Sequence, residues 1–299
     1  MLDPGDAIDT LSAPFKPLPG YRAAHAKGAF YAGTFRATPE ATALCRAAHL
    51  DGSEVPVLVR WSNAAGTPVW PDGKPDVRGM AVRFITSAGD TDLLCQTSPR
   101  FPTDDPAVFV QMAEPAVHQW KLPLFMARHP GTIGPLLEGM RRHALPKPVS
   151  YAEIPYFPIH AYGWLDAQDR RTWVRYEMQP VATAADRLDE QFSGPDRLRD
   201  EIVARLARGP VEFDLHVQVA GSGDDPHSAV SVWKEPRDFV AGRVSVTSPV
   251  ADPEQGDDVV VYDPTRIIDG LELSDDPILR YRPTAYAESV ARRQGVAKA

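Results

Sequence analysis

The runs Ala29–Thr38 (AFYAGTFRAT), Val55–Ser62 (VPVLVRWS), Val77–Ile85 (VRGMAVRFI) and Asp92–Cys95 (DLLC) decide the fold class. Each is short and rich in Val, Phe, Trp, Leu or Ile, and turn signals stand between them: Asp51-Gly52, Pro71-Asp72-Gly73 and Ala88-Gly89-Asp90. That spacing predicts an antiparallel sheet. Further on, Ile159–Leu165, Thr172–Gln179, Val211–Val219 and Val244–Val246 repeat the strand pattern, for a total of about eight strands, enough to close a barrel. Between the two groups, Asp105–Trp120 and Leu124–His143 switch to helical periodicity, broken by Pro115, Pro130 and Pro135. They predict a pair of short helices outside the sheet. Pro195–Arg208 reads as another helix, closed by Gly209-Pro210. Ser274-Asp275-Asp276-Pro277 offers an N-cap to a last helix over Ile278–Arg293, with Pro283 inside it as a kink. Residues 1–20, rich in Pro, Asp and small side chains, predict an extended surface arm, and residues 21–299 one domain. The fold class expected is α+β, a closed antiparallel eight-stranded β-barrel with peripheral helices.

Composition narrows the chemistry. The 299 residues are 43% hydrophobic and 24% charged, with a formal net charge of -8, and no basic tract is interleaved with aromatics. A nucleic-acid surface and a membrane anchor are therefore poorly supported, and a small-molecule partner is favoured. Cys45 and Cys95 are the two cysteines, with no CxxC pair, so neither a disulfide framework nor a structural zinc site is indicated. The acidic N-terminal stretch and the lack of an apolar run of ~20 residues lead us to expect a cytoplasmic protein.

Three constellations carry chemistry. On the last helix, Arg282, Tyr286 and Arg293 fall within roughly 40° of one another at about 100° per residue. A guanidinium beside a phenol stabilises the phenolate, a hard anionic ligand suited to ferric haem; taken alone, such a pair is more often an ordinary contact. In Arg22-Ala23-Ala24-His25-Ala26-Lys27-Gly28, small neighbours leave room for a flat ligand over an imidazole whose pKa suits proton shuttling. In Arg60-Trp61-Ser62-Asn63, period-two alternation puts Arg60 and Ser62 on one side of a strand, where the hydroxyl could orient His25.

These segments, in this order, resemble the catalase family. His25-Ala26-Lys27-Gly28 is similar to the family's distal-histidine signature, Val59–Gly66 and Asp76–Phe84 to the strands that follow, and Asp92–Phe101 with Asp105-Pro106 to the segment that carries its distal amide. Arg282-Pro283-Thr284-Ala285-Tyr286 is similar to its R-x-x-x-Y haem-ligand motif. The resemblance implies a haem b with ferric iron. It makes His25 the distal acid/base, Ser62 its partner, and Tyr286 the proximal metal ligand held by Arg282. It assigns Arg22, Arg60 and Arg293 to the haem propionates and Phe101 and Phe109 to the pocket wall, although plain core packing is an equal reading of the two rings.

Three departures matter. Gln96 stands where the family has asparagine, Ala24 where valine usually precedes the histidine, and the chain is much shorter than a typical catalase. They imply a small catalase-related peroxidase without a flavodoxin-like domain or an NADPH site. Its expected activity is decomposition of hydrogen peroxide or organic hydroperoxides with a small organic electron donor, and weak catalase turnover. The alternatives are a specialised enzyme transforming organic hydroperoxides and a haem-binding or haem-sensing protein with little turnover. A homodimer is allowed by the sequence.

Overall fold

A computed structural model of the chain describes residues 2–142, 144–234, 237–254 and 258–294. His143, the expected end of the second helix, and the chain end after Gln294 lie outside them. Nine strands form one antiparallel sheet: β1 (Gly28–Ala37), β2 (Glu54–Asn63), β3 (Arg78–Thr86), β4 (Gly89–Gln96), β5 (Tyr162–Leu165), β6 (Arg171–Pro180), β7 (Val211–Val219), β8 (Arg237–Val250) and β9 (Leu271–Leu273). Their order is β4-β3-β2-β1-β8-β7-β6-β5-β9. Among the described residues the α-helices are α1 (Pro4–Ser12), α2 (Pro39–Leu44), α3 (Pro106–Gln111), α4 (Ala113–Val117), α5 (Leu122–Arg128), α6 (Ile133–Arg141), α7 (Arg197–Leu206) and α8 (Pro277–Ala291).

The sheet curls because alternate side chains from both groups of strands meet in one apolar core. Phe35, Val59, Trp61 and Val82 from the first group share it with Trp164, Met178, Phe213 and Val244 from the second. No ladder joins β4 to β9 among the described residues. The β4 edge is bonded instead to the segments that lead into β5 and β9. Gln96 and Phe157 exchange backbone hydrogen bonds of 3.1 and 2.7 Å, and the Arg266 carbonyl accepts from Asp92 N at 3.3 Å and Thr91 Oγ1 at 2.8 Å. The described sheet therefore has nine strands where eight are expected, and it is a curled sheet in place of a closed ladder.

Two further expectations change. The first residues are not an extended arm. Asp3 accepts hydrogen bonds from Gly5 N and Asp6 N, Pro4 occupies the first turn, and Ala7 and Ile8 are buried, so the segment is a capped amphipathic helix. The Asp105–Trp120 and Leu124–His143 regions hold four short helices, α3 to α6, in place of a pair. Residues 197–206 and 277–291 are helical as expected, the latter with Pro283 inside.

Candidate active site

A cavity of about 280 Å³ lies between the β1–β4 side of the sheet and α8, with α1 and α3 completing its wall. All ten residues singled out in the sequence line it: Arg22, His25, Arg60, Ser62, Gln96, Phe101, Phe109, Arg282, Tyr286 and Arg293.

Strand register builds the first wall. Ser62 pairs with Gly28 of β1 on one side and Gly79 of β3 on the other, and Gly79 pairs in turn with Gln96 of β4. Directly opposed residues share a face of a sheet, so Ser62, Gly79 and Gln96 form one row. Glycine is required in it. A Cβ on Gly79 would stand 2.7 Å from the His25 ring and from Ser62 Oγ, and one on Gly28 would stand 2.6 Å from the Arg60 guanidinium carbon. The missing side chains are the space into which His25 and Arg60 fit.

His25 sits above that row with φ at 55°, the left-handed region that disfavours most side chains. Its N–H donates to Ala64 O at 2.9 Å, and its carbonyl accepts from Arg60 Nη2 at 3.0 Å. His25 Nδ1 and Ser62 Oγ are hydrogen-bonded at 2.9 Å. Burial, and then the charges of Arg60, Arg282 and Arg22, push the imidazole pKa down to about 3. The ring is neutral over the whole physiological range.

The α8 wall carries the second pair. Arg282 Nη1 donates to Tyr286 Oη at 2.7 Å, one helical turn apart. Burial works against the Arg282 charge, but the Tyr286 oxygen outweighs it, and the guanidinium pKa lies above its ordinary value. Phe101 and Phe109 pack ring on ring at 4.3 Å, and the Arg282 guanidinium lies over Phe101 at 5.7 Å. The two rings therefore pack against each other and also face the cavity.

Sequence reading missed four neighbours. Gly79 is one. Asp276 caps α8 through Ile278 N and Leu279 N, and its other oxygen bonds His160 Nδ1 at 2.6 Å. Burial, and secondarily the Arg282 charge, bring His160 down to about 4, so this pair sits electrostatically behind Arg282. Glu254 bridges Arg22 and Arg293 at 2.6 and 3.1 Å. An acidic residue in a loop, 232 positions from one partner, gives no periodic or motif signal.

The site can be tested for a haem on its own features. Its walls are mainly apolar, four guanidiniums line it, and among the described residues the buried Nε atoms of Arg60 and Arg282 have no hydrogen-bond partner. A flat, apolar, dianionic group with an oxygen-seeking metal fits that donor set. The comparisons agree in kind. The catalase family model matches residues 19–298. A catalase-related peroxidase of Mycolicibacterium paratuberculosis (strain ATCC BAA-968 / K-10) is 41% identical across 99% of this chain and 96% of its own length. That of Synechococcus elongatus (strain ATCC 33912 / PCC 7942 / FACHB-805) is 25% identical across 97% and 88%. The crystal structure of a fungal catalase superposes with a TM-score of 0.77 at 19% identity, covering 96% of this chain and 62% of that one. A bacterial catalase structure gives 0.76 at 22% identity, covering 97% and 60%. The chain thus spans about three fifths of those two structures and nearly all of the first relative. From fold, ordered motifs and family match together, the chain belongs to the catalase family.

Proposed function

We propose that the protein is a haem peroxidase that decomposes hydrogen peroxide or organic hydroperoxides at the expense of a small organic electron donor. One observation carries the reading: the His25–Ser62 and Arg282–Tyr286 pairs, 2.9 and 2.7 Å long, line one apolar cavity. On this reading the group held would be haem b, with Tyr286 as its iron ligand, Arg22, Arg60 and Arg293 toward its propionates, and Phe101 and Phe109 in the wall of its pocket. When bound, its ferric iron supplies the redox change that peroxide cleavage needs. Residues 21–299 serve as one haem domain, and the sheet acts as a barrel whose edges close through the Gln96–Phe157 pair.

The chain's own residues manage the proton. With its pKa at about 3, His25 is an unprotonated base at neutral pH. Ser62 occupies Nδ1, so Nε2 is the nitrogen that takes a proton from one peroxide oxygen and returns it to the other. The transfer involves no net proton uptake. Gln96, in the row with Ser62, offers an amide N–H to orient the peroxide. The Arg282 N–H aimed at Tyr286 Oη is the bond that an anionic oxygen ligand needs.

Tyr286→Phe tests the assignment directly. It should lose haem or change its absorption spectrum, because it removes the phenol oxygen that Arg282 bonds in the cavity. Haem retention with an unchanged spectrum would refute it.

A further inference from the structure

The three guanidiniums assigned to the propionates differ in their counter-ions. Arg22 gives Nη1 to Glu254 Oε2 at 2.6 Å and Nη2 to Val260 O at 2.6 Å. Arg293 gives Nη1 to the other carboxylate oxygen of Glu254 at 3.1 Å and Nε to Ser289 O at 3.1 Å. Arg60 bonds the carbonyls of His25 and Ala26, and its buried Nε has no partner. One carboxylate thus serves two of three cations.

Its position is fixed. Glu254 is buried, and its N–H donates to Asp252 Oδ1 at 2.9 Å, a turn that holds the residue against the arginines. Arg22 and Arg60 line both the main cavity and a second one of about 210 Å³, whereas Glu254 lines only the second. The arginines are therefore a partition, with the carboxylate behind it and the ligand space in front. At the partition Glu254 is shared by Arg22 and Arg293, while Asp252 lines the same rear cavity and Arg60 donates to carbonyls. Arg22, Arg60 and Arg293 all line the main cavity, a wall that suits an anionic ligand.

We propose that Glu254 is a specificity-determining residue: a resident counter-ion that competes with a ligand's carboxylates for Arg22 and Arg293 and so sets how strongly the site draws an anionic porphyrin. This rests on the haem reading above and adds the residue that tempers the pull of the arginines. A buried carboxylate bonded to two guanidiniums must weaken their pull on any other anion. Without it, an incoming carboxylate supplies the missing counter-charge and is bound more tightly.

The experiment titrates apoprotein, by absorption, with haemin and with haemin dimethyl ester, in the wild type and in Glu254→Gln. The wild type should prefer the diacid. Glu254→Gln should bind the diacid about 10-fold more tightly and the diester with unchanged affinity, the size expected of one partly screened charge. Equal or weaker diacid binding in Glu254→Gln, or an equal gain on the diester, would overturn the proposal. If the wild type itself does not distinguish diacid from diester, the propionate reading fails, and this proposal fails with it. Removing one partner of a buried pair can cost enough to prevent folding, in which case Glu254→Asp decides. It keeps the charge but is too short to span both arginines. A smaller diacid gain with the diester unchanged supports the proposal, and no gain overturns it.

Discussion

Gln96 is where the chain departs from the asparagine pattern and where register fixes its place, in a row with Gly79 and Ser62. One extra methylene on a positioning amide moves its N–H by about 1 Å, a displacement that can cost ~10²-fold in rate. Wild-type protein should therefore oxidise small organic donors faster than it evolves oxygen from peroxide, and Gln96→Asn should raise oxygen evolution toward that factor. Rapid oxygen evolution in the wild type, unaltered by Gln96→Asn, would make the protein a compact catalase instead. At this scale the sequence was legible wherever a side chain sat inside a motif, as His25 and Tyr286 do. It was silent on Gly79, whose contribution is the absence of a Cβ. It was silent too on Glu254, on His160 and on the bond from His160 to the N-cap residue Asp276, since those partners come from remote segments and are chosen by packing.

Helix α1 shows what is gained when an element is read in its tertiary setting. Its Ile8 and Ala7 line the cavity, and Arg292, just after α8, ion-pairs with Asp9 and donates to Gly5 O at 3.2 Å. The helix thus holds in place the element that carries Tyr286. Ile8→Asp should accordingly speed the loss of haem to an excess of a scavenger protein without abolishing the fold, as checked by circular dichroism; an unaltered release rate would show that α1 is decoration. Pro, Asp and small residues suggested coil here because Asp3 and Pro4 read as breakers, whereas at a helix start they are cap and first turn. Strand β8 was seen only as Val244–Val246, since Gly242 and Pro249 interrupt its apolar run. It extends over Arg237–Val250 because β1 and β7 bond it on both sides, with bulges at Ala32/Gly33 and Leu215/His216. Strand β9, three residues long, is too short for any periodicity.

Across the molecule, burial governs the response to acid. His25, His49 and His160 are buried with pKa values of about 3, 4 and 4, against an ordinary 6.5. A histidine depressed by folding binds its proton first in the unfolded chain. Stability is therefore complete above about pH 6.5 and falls as pH drops toward the folded values, by at most ~1.4 kcal/mol per pH unit for each ring. Asp76, raised by burial to about 6 from 3.8, opposes one of the three between those values. Denaturant midpoints should fall steadily from pH 7 to pH 5, and His49→Phe, which keeps the contacts with Phe35 and Phe84, should flatten the slope. Midpoints independent of pH would contradict the burial argument. At this scale the antiparallel sheet was legible from turn spacing, but the way its β4 edge is bonded was not. Joining β4 to the segment before β5 depends on the Gln96–Phe157 bonds, which involve main-chain atoms and leave no trace in residue identity.

The same architecture orders events during synthesis. Arg22 and His25 are made before Arg282, Tyr286 and Arg293, yet they face one another across a single cavity. While the ribosome still holds α8, the pocket has only its sheet-side wall. Ligand capture between both walls therefore waits until α8 has left the ribosome, and a nascent chain stalled before residue 277 has no second wall to close on a ligand.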